Sequence, residues 1–166
     1  MDTYCEQLVR IKKGFKQYLL IIGVWFAAFV IAVFSFLFLR VLAAVIIVAA
    51  GYGAYYLCGF LSVEYEYIIT NGTFDIDIIY AKRSRKRIAS LELSSVESIE
   101  KYNGEPIDKR KFKGVFIVCN KNDEGAYKLV VNTDLGTTVA VISPDDRTKQ
   151  EIVNFVPKYV GNTAFK

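Results

Sequence analysis

The sequence offers one cluster of side chains suited to binding a ligand, the basic run Lys82, Arg83, Arg85, Lys86 and Arg87. Five cations this close together attract anions, and each gains roughly 1 kcal/mol beside a membrane of anionic lipid. We therefore predict that these residues contact anionic lipid. The alternative is a solvated strand whose charges help to set membrane topology, and the sequence favours neither interpretation.

Side chains for catalysis or metal binding are scarce. The chain contains no histidine, which excludes Ser-His and Cys-His nucleophile pairs and zinc sites that need histidine. Asp75 and Asp77 would share one face of a strand and could act as a carboxylate pair, but this pattern is more typical of the solvated face of a hairpin. No glycine-rich phosphate-binding motif occurs. We predict a protein that is not an enzyme, without catalytic, cofactor-binding or metal-binding residues.

Two apolar segments precede the basic run. Residues 18–39 and 41–63 are separated by Arg40, the one Asp, Glu, Lys or Arg between Gln17 and Glu64. A bilayer core of about 30 Å is crossed by about 20 helical residues, so each segment is long enough to span it. The first segment is also longer than the apolar region of a secretory signal. The sequence therefore predicts a two-helix transmembrane hairpin over residues 18–63.

Basic residues near the helix ends predict the orientation of the hairpin. They precede the first segment and follow the second, whereas the connection carries only Arg40, and basic residues favour the cytoplasmic side. We expect a multi-pass protein of the cell membrane with both termini in the cytoplasm and residues 1–17 as a basic cytoplasmic segment. Cysteines in such a protein stay reduced, so no disulfide is predicted.

Small residues recur at four-residue spacing within both apolar segments, which lets helices approach closely. One interpretation is that the two helices of the hairpin pack on each other. The other is a homo-oligomer that forms through a helix face of small residues that packing within the hairpin does not use. The pairs are Gly23 and Ala27, Ala28 and Ala32, Ala49 and Gly53, and Ala50 and Ala54.

Residues 64–166 predict one small cytoplasmic domain. Asn71-Gly72 is typical of a type I′ turn, and it joins two alternating segments, residues 64–70 and 73–80. Turn residues at 122–125 and 134–136 make residues 114–143 a predicted three-stranded meander. The remaining predicted strands are residues 87–93, 96–102, 114–120, 126–132 and 137–143.

The chain ends on a helical pattern. Ser143, Pro144, Asp145 and Asp146 are typical of a helix start. The apolar residues that follow at helical spacing predict one amphipathic helix that bends or ends at Pro157. These residues are Ile152, Phe155, Val156 and Tyr159.

The order of these features resembles bacterial pleckstrin-homology-like (PH-like) domains attached to transmembrane hairpins. The resemblance lies in the hairpin, the Tyr-Ile-Ile-Thr strand end at residues 67–70, the tight turn, the basic strand and the Leu-x-Leu-Ser-Ser-Val-Glu-Ser-Ile stretch at residues 91–99. It implies a membrane α-hairpin plus an α+β soluble domain, a seven-stranded antiparallel barrel or sandwich capped by a C-terminal helix. It brings no catalytic residues. Phosphoinositide-binding members have a longer, basic first loop, so specific inositol-lipid binding is not expected.

Charge and composition narrow the partners. Residues 1–17 contribute +2 of the net charge of +4, Arg40 contributes +1 and residues 64–166 contribute +1, and this nearly neutral domain argues against nucleic acid. One hypothesis is a membrane-tethered interaction module that binds membrane lipids and an unknown membrane or cytoplasmic protein. The other is an accessory subunit of a membrane transport or envelope-assembly complex, bound through the hairpin itself.

Overall fold

The computed structural model describes residues 3–108, 110–120, 123–133 and 136–165, and the chain forms two compact units. One unit contains the apolar helices, within Lys12–Val63, together with the short segment Tyr80–Ser84. The other contains the chain up to Ile11, Glu64–Ile79 and the chain from Arg85 onward. The residues that precede the helices therefore belong to the same unit as the domain that follows them.

The helical unit is built on α1 (Phe15–Phe38) and α2 (Ala43–Phe60), which are 24 and 18 residues long. Both are long and apolar enough to cross a membrane. Inside a bilayer each backbone polar group needs an internal partner, and a helix provides one along the whole segment. The helices begin and end within a few residues of the predicted bounds, and Arg40 lies in the connection between them.

The small residues of the two helices divide into two groups. Ala54 is buried, and Ala28, Ala32 and Ala50 are half-buried, as expected of positions where two helices approach closely. The residues of a second group are exposed and do not take part in packing between α1 and α2. These exposed residues are Gly23, Ala27 and Ala49.

The first sheet contains a strand that the sequence analysis did not predict. Tyr4–Arg10 forms β1, which pairs antiparallel with the strand that follows α2. The pairing runs from Tyr4 opposite Thr70 to Arg10 opposite Glu64. The sequence analysis treated residues 1–17 as a separate basic segment. It missed the pairing because both helices lie between β1 and its partner in the sequence. The four strands, in spatial order, are β1, β2 (Val63–Thr70), β3 (Thr73–Tyr80) and β4 (Ser84–Glu92).

The predicted turn between β2 and β3 is confirmed. Asn71 and Gly72 have φ values of 49° and 89°, as a type I′ turn requires at both central residues. The Asn71 side chain also accepts a hydrogen bond from the backbone N–H of Thr3 at 3.1 Å. The turn thus also holds the beginning of β1 against the sheet.

The second sheet contains four strands and corrects the predicted meander. Its spatial order is β5-β7-β8-β6, in which β7 pairs antiparallel with both β5 and β8. A strand has two edges, so β7 has none left for β6, and β6 instead pairs in parallel with β8. The predicted turn residues Asn122, Asp134 and Leu135 lie outside the described residues. The strands are β5 (Val96–Lys101), β6 (Gly114–Ile117), β7 (Tyr127–Thr133) and β8 (Gly136–Ile142).

The prediction of a single seven-stranded barrel or sandwich is therefore wrong in its strand and sheet count. Among the described residues, eight strands form two four-stranded sheets. Both sheets contribute to one apolar core, through residues such as Phe74 and Ile76 of β3 and Leu129 of β7. The added strand β1 also contributes, since Cys5 is 2% exposed.

The predicted C-terminal helix is present and ends before Pro157. The residue that caps the beginning of α3 (Asp146–Phe155) is Asp145, whose side chain accepts a hydrogen bond from the backbone N–H of Thr148 at 2.7 Å. A second short helix, α4 (Lys158–Gly161), follows Pro157. Because the break changes the direction of the chain, Tyr159 is exposed instead of facing the core, where Val160 lies.

Candidate functional site

The structure separates the basic run into two structural settings. Lys82 and Arg83 lie in the connection between β3 and β4, and Arg85, Lys86 and Arg87 lie within β4. The two arginines of β4 belong to the unit that contains the sheets, whereas Lys82 and Arg83 belong to the helical unit. The five predicted lipid contacts therefore do not form one uniform patch.

Arg87 is held by two carboxylates of β3. Its Nη1 atom lies 2.7 Å from Asp75, and its Nε atom donates to Asp77 at 3.0 Å. Asp75 also accepts a hydrogen bond from the hydroxyl of Ser90 at 2.6 Å. Because the hydrogen bond to Asp77 favours the charged guanidinium, the pKa of Arg87 is raised. Asp75 and Asp77 are thus buried partners of an arginine, not the solvated face that the sequence suggested.

A shift in strand alternation places these groups on one face of the sheet. Ile88 and Ala89 are consecutive residues of β4, yet both contact the apolar core. The face that each residue occupies therefore shifts by one position between them, as it does at a β-bulge. As a result, both Arg87 and Ser90 reach Asp75.

Arg85 covers a buried carboxylate of β2. Its Nη2 atom donates to Oε1 of Glu66 at 2.7 Å. The Oε2 atom lies 2.6 Å from the same nitrogen but outside hydrogen-bonding geometry, and it is buried without a hydrogen-bond partner. Burial is the main cause that raises the pKa of Glu66, because desolvation disfavours its charged form.

Glu6 of β1 completes this group. Leu8 lies opposite Glu66 in the β1–β2 pairing, so Glu6 is the diagonal neighbour of Glu66 on the same face. The hydroxyl of Tyr4 donates a hydrogen bond to Glu6, and this bond is the main cause that lowers the pKa of Glu6.

The connection between β3 and β4 is a tight turn, residues 80–83, named the 80–83 turn below. Ala81 and Lys82 have φ values of 53° and 56°, and the N–H of Arg83 donates to the carbonyl of Tyr80 at 2.9 Å. These values are those of a type I′ turn, which asparagine and glycine usually occupy. The guanidinium of Arg83 lies over two rings of α2, at 5.8 Å from the centroid of Tyr55 and 5.7 Å from that of Tyr56.

The charges of the basic run are therefore compensated unequally. Arg85 and Arg87 form ion pairs with buried carboxylates. Within the described part of the chain, Lys82, Arg83 and Lys86 have no carboxylate at ion-pair distance. The sequence carried a signal for this difference between paired and unpaired cations. Asp75 and Asp77 lie two residues apart and so share one face of their strand, and Glu66 lies on the neighbouring strand.

The cysteines show no arrangement for chemistry. Among the described residues, no group of three or more His, Cys, Asp or Glu side chains is placed to hold a metal ion. Cys5, Cys58 and Cys119 are free thiols. Burial raises the pKa of the Cys119 thiol to about 11, which keeps it protonated and unreactive near neutral pH.

Comparison with known proteins gives one family match. A family model described as a bacterial PH-like domain, DUF6106, matches residues 1–162. The match includes β1, both apolar helices and the two sheets. No curated protein and no solved structure matches the chain.

Proposed function

The chain belongs to the bacterial PH-like domain family DUF6106, and from this premise we propose that it is a membrane-tethered interaction module. In this proposal the apolar helices cross the membrane and the PH-like domain remains on the cytoplasmic side. The protein docks on anionic lipid through its uncompensated basic residues, and the domain presents its surface to a protein partner. PH-like domains are typically interaction modules without catalysis, and we propose the same here.

The pairing of β1 with β2 is the observation that carries this proposal. The two strands flank the helices in the sequence, yet they pair from Tyr4 to Arg10 within one sheet. Paired strands must lie on the same side of a membrane, so helices between them that cross it must do so an even number of times, which supports two crossings. Residues 11–14 connect β1 to α1, and residues 61–62 connect α2 to β2. Because an extended residue spans at most about 3.6 Å, these connections keep the domain next to the bilayer in any orientation of the two units.

The cytoplasmic side follows from the distribution of positive charge. Lys12, Lys13 and Lys16 lie at the beginning of α1, whereas the connection between the helices carries only Arg40. Basic residues beside membrane helices favour the cytoplasmic side. The cytoplasmic leaflet also carries anionic lipid, so the same side supplies the proposed ligand.

Lipid docking depends on fewer residues than the sequence suggested. Arg85 and Arg87 are compensated by Glu66, Asp75 and Asp77, which leaves Lys82, Arg83 and Lys86 as the proposed contacts. Three cations would together contribute about 3 kcal/mol at low ionic strength. This attraction is sufficient to orient a domain that is already tethered.

Amine acylation of the full chain tests the docking. The protein is placed in nanodiscs of phosphatidylcholine alone or with phosphatidylglycerol, and acylation of each lysine is measured by mass spectrometry. We expect anionic lipid to protect Lys82 and Lys86, and 1 M salt to remove this protection because it shortens the screening length to about 3 Å. Lys111 and Lys158, which are exposed elsewhere, are the controls. Equal acylation of Lys82 and Lys86 in both lipids contradicts the proposal.

The second candidate function is an accessory subunit bound through the hairpin. It is favoured by the exposed small residues of the helices, since a side chain added at Gly23 would meet nothing within 4 Å. Such a face accepts another helix, either from a partner or from a second copy. Replacing the hairpin by an unrelated one distinguishes the two candidates. Partners that still co-purify support the interaction module, and partners that are lost support the accessory subunit.

A further inference from the structure

The 80–83 turn has a backbone conformation that its own residues do not favour. Ala81 and Lys82 both have positive φ values, 53° and 56°. A side chain makes this conformation unfavourable, and it persists only where surrounding contacts impose it. The contacts that impose it lie at the end of α2, in the same unit.

Two contacts hold the turn against α2. The N–H of Ala81 donates to the carbonyl of Ser62 at 3.0 Å. Gly59 provides space for the turn, because a Cβ atom there would lie 3.3 Å from the Cβ of Ala81. The side chains that follow Ala81 are thereby fixed at the end of an apolar helix.

Arg83 is fixed in this position without losing its charge. Its guanidinium lies 5.8 and 5.7 Å from the ring centroids of Tyr55 and Tyr56, distances at which a cation is attracted to an aromatic ring. Aromatic rings orient the guanidinium but do not neutralise it. Among the described residues no carboxylate pairs with Arg83, in contrast to Arg85 and Arg87.

A cavity lies beside this guanidinium. Its volume is about 230 Å³, and it is lined by Tyr55, Cys58, Gly59, Ser62, Ala81 and Arg83. The lining combines one cation and two hydroxyl groups with apolar surface. Cavities for drug-sized ligands are usually about 300–1,000 Å³, so this cavity fits a smaller group.

We infer that the 80–83 turn and the end of α2 bind the headgroup phosphate of one anionic phospholipid, with Arg83 as the phosphate contact. This inference rests on the proposed function, which places the end of α2 at the cytoplasmic leaflet. A phospholipid fits because the site combines a cation with apolar walls at the end of a membrane-spanning helix. The carbonyl end of a helix by itself disfavours an anion, so the site depends on Arg83.

Lipid binding by the full chain in detergent tests this site. Phosphatidylglycerol and phosphatidylcholine are titrated separately, and the bound lipid is measured by native mass spectrometry for wild type, R83Q, R83K and K86Q. We expect R83Q to weaken phosphatidylglycerol binding about tenfold or more, as for loss of a charged hydrogen bond. R83K should weaken it severalfold, since lysine keeps the charge but loses the planar group that stacks on the rings. K86Q removes one charge three residues further along the chain, at an exposed position without an ion pair among the described residues, and should stay below the fivefold effect of about 1 kcal/mol for one surface charge.

Each other outcome overturns part of the inference. If R83K binds phosphatidylglycerol as wild type does, or if R83Q and K86Q have equal effects, the site is wrong and diffuse docking remains. If wild type binds both lipids equally, both the site and the docking are wrong. Glycerol 3-phosphate supplied at the lipid concentration should not compete, and competition would show a site for small phosphates instead of lipid. Equal melting temperatures of wild type and R83K exclude unfolding as the cause of weaker binding.

Discussion

At the scale of single residues, the outward face of the first sheet depends on arginines that cover carboxylates. Arg87 joins Asp75 and Asp77, and Arg85 covers Glu66. On the sequence alone, exchanging Arg83, Arg85 and Arg87 for glutamine together would be expected to leave the fold intact. The structure corrects this expectation, because two of the three exchanges leave buried carboxylates without a partner.

Arg87 tests this correction directly. The R87Q variant removes the cation that Asp75 and Asp77 share and should lower the free energy of unfolding by about 2 kcal/mol, the scale of a hydrogen bond between charged groups. K86Q removes the same charge from the neighbouring residue and should change it by less than about 0.5 kcal/mol. Thermal unfolding of both full-length variants in detergent measures the difference. Equal stability of the two variants would mean that the Arg87 pairs contribute nothing.

Gly72 is the second residue whose role can be measured. G72A should destabilise the protein for two reasons, the φ value of 89° and the contact of an added Cβ with Phe155 at 3.1 Å. Gly104 is a matched control, because its φ is 84° but an added Cβ would meet nothing within 4 Å. We expect G104A to cost about 1 kcal/mol and G72A clearly more, as measured by thermal unfolding. Equal costs would leave backbone strain as the whole effect at Gly72.

Glu66 makes stability depend on pH. Its pKa in the folded protein is raised above the usual value of 4.5, mainly by burial, so folding favours its protonated form. The stability that it contributes is complete below pH 4.5 and is lost as the pH rises through the raised pKa. E66Q should therefore lose less stability than wild type between pH 4.5 and pH 7, as measured by unfolding at several pH values. A parallel loss in wild type and E66Q would assign the pH dependence to other groups.

At the scale of elements, β1 is part of the folded domain although it precedes the helices in the sequence. Cys5 and Val9 of β1 are buried in the core that both sheets share. The side chain of Gln7 donates to the carbonyl of Ser143 at 3.0 Å and accepts from the N–H of Asp145 at 2.9 Å, which ties β1 to the beginning of α3. A domain without β1 therefore loses core packing, one sheet edge and a contact with α3.

A protein without the helices tests the role of β1. Residues 64–166 alone should be unfolded or aggregated, whereas residues 1–10 joined to residues 64–166 by an Asn-Gly turn should fold as a soluble protein. A two-residue turn is sufficient to join the strands, because Arg10 lies opposite Glu64 and forms an ion pair with it at 3.2 Å. Dispersed amide signals in NMR spectra would identify the folded protein. A well-folded 64–166 fragment would contradict the assignment of β1 to the domain.

At the scale of the whole molecule, the pairing of β1 with β2 makes a definite prediction of topology. With both strands in the cytoplasm, R40C should react with an impermeant thiol reagent in intact cells. K111C, at an exposed position of the domain, should react only after the membrane is opened. Reaction of K111C but not of R40C in intact cells would reverse the orientation, since β1 and β2 cannot lie on opposite sides.

The sequence by itself determined the local features of this protein. Two uninterrupted apolar segments predicted α1 and α2, and Asn71-Gly72 predicted the turn. The run from Ser143 to Asp146 predicted the start of a helix within a few residues, and Pro157 predicted that it bends or ends there. In each case the cause lies within a few neighbouring residues. The helices form because the backbone of an apolar segment must satisfy its own hydrogen bonds. The turn forms because Asn-Gly accepts positive φ values, and α3 ends because proline lacks an N–H group.

Tertiary structure decided the features that depend on distant residues. β1 pairs with a strand beyond both helices, and β6 pairs in parallel with β8 because β7 has no free edge. The same holds for the candidate site, where β2 and β3 supply the carboxylates that compensate Arg85 and Arg87. Residue type shows that a side chain is charged, but only the arrangement of the strands decides whether a buried partner already holds that charge or whether it remains available to a ligand.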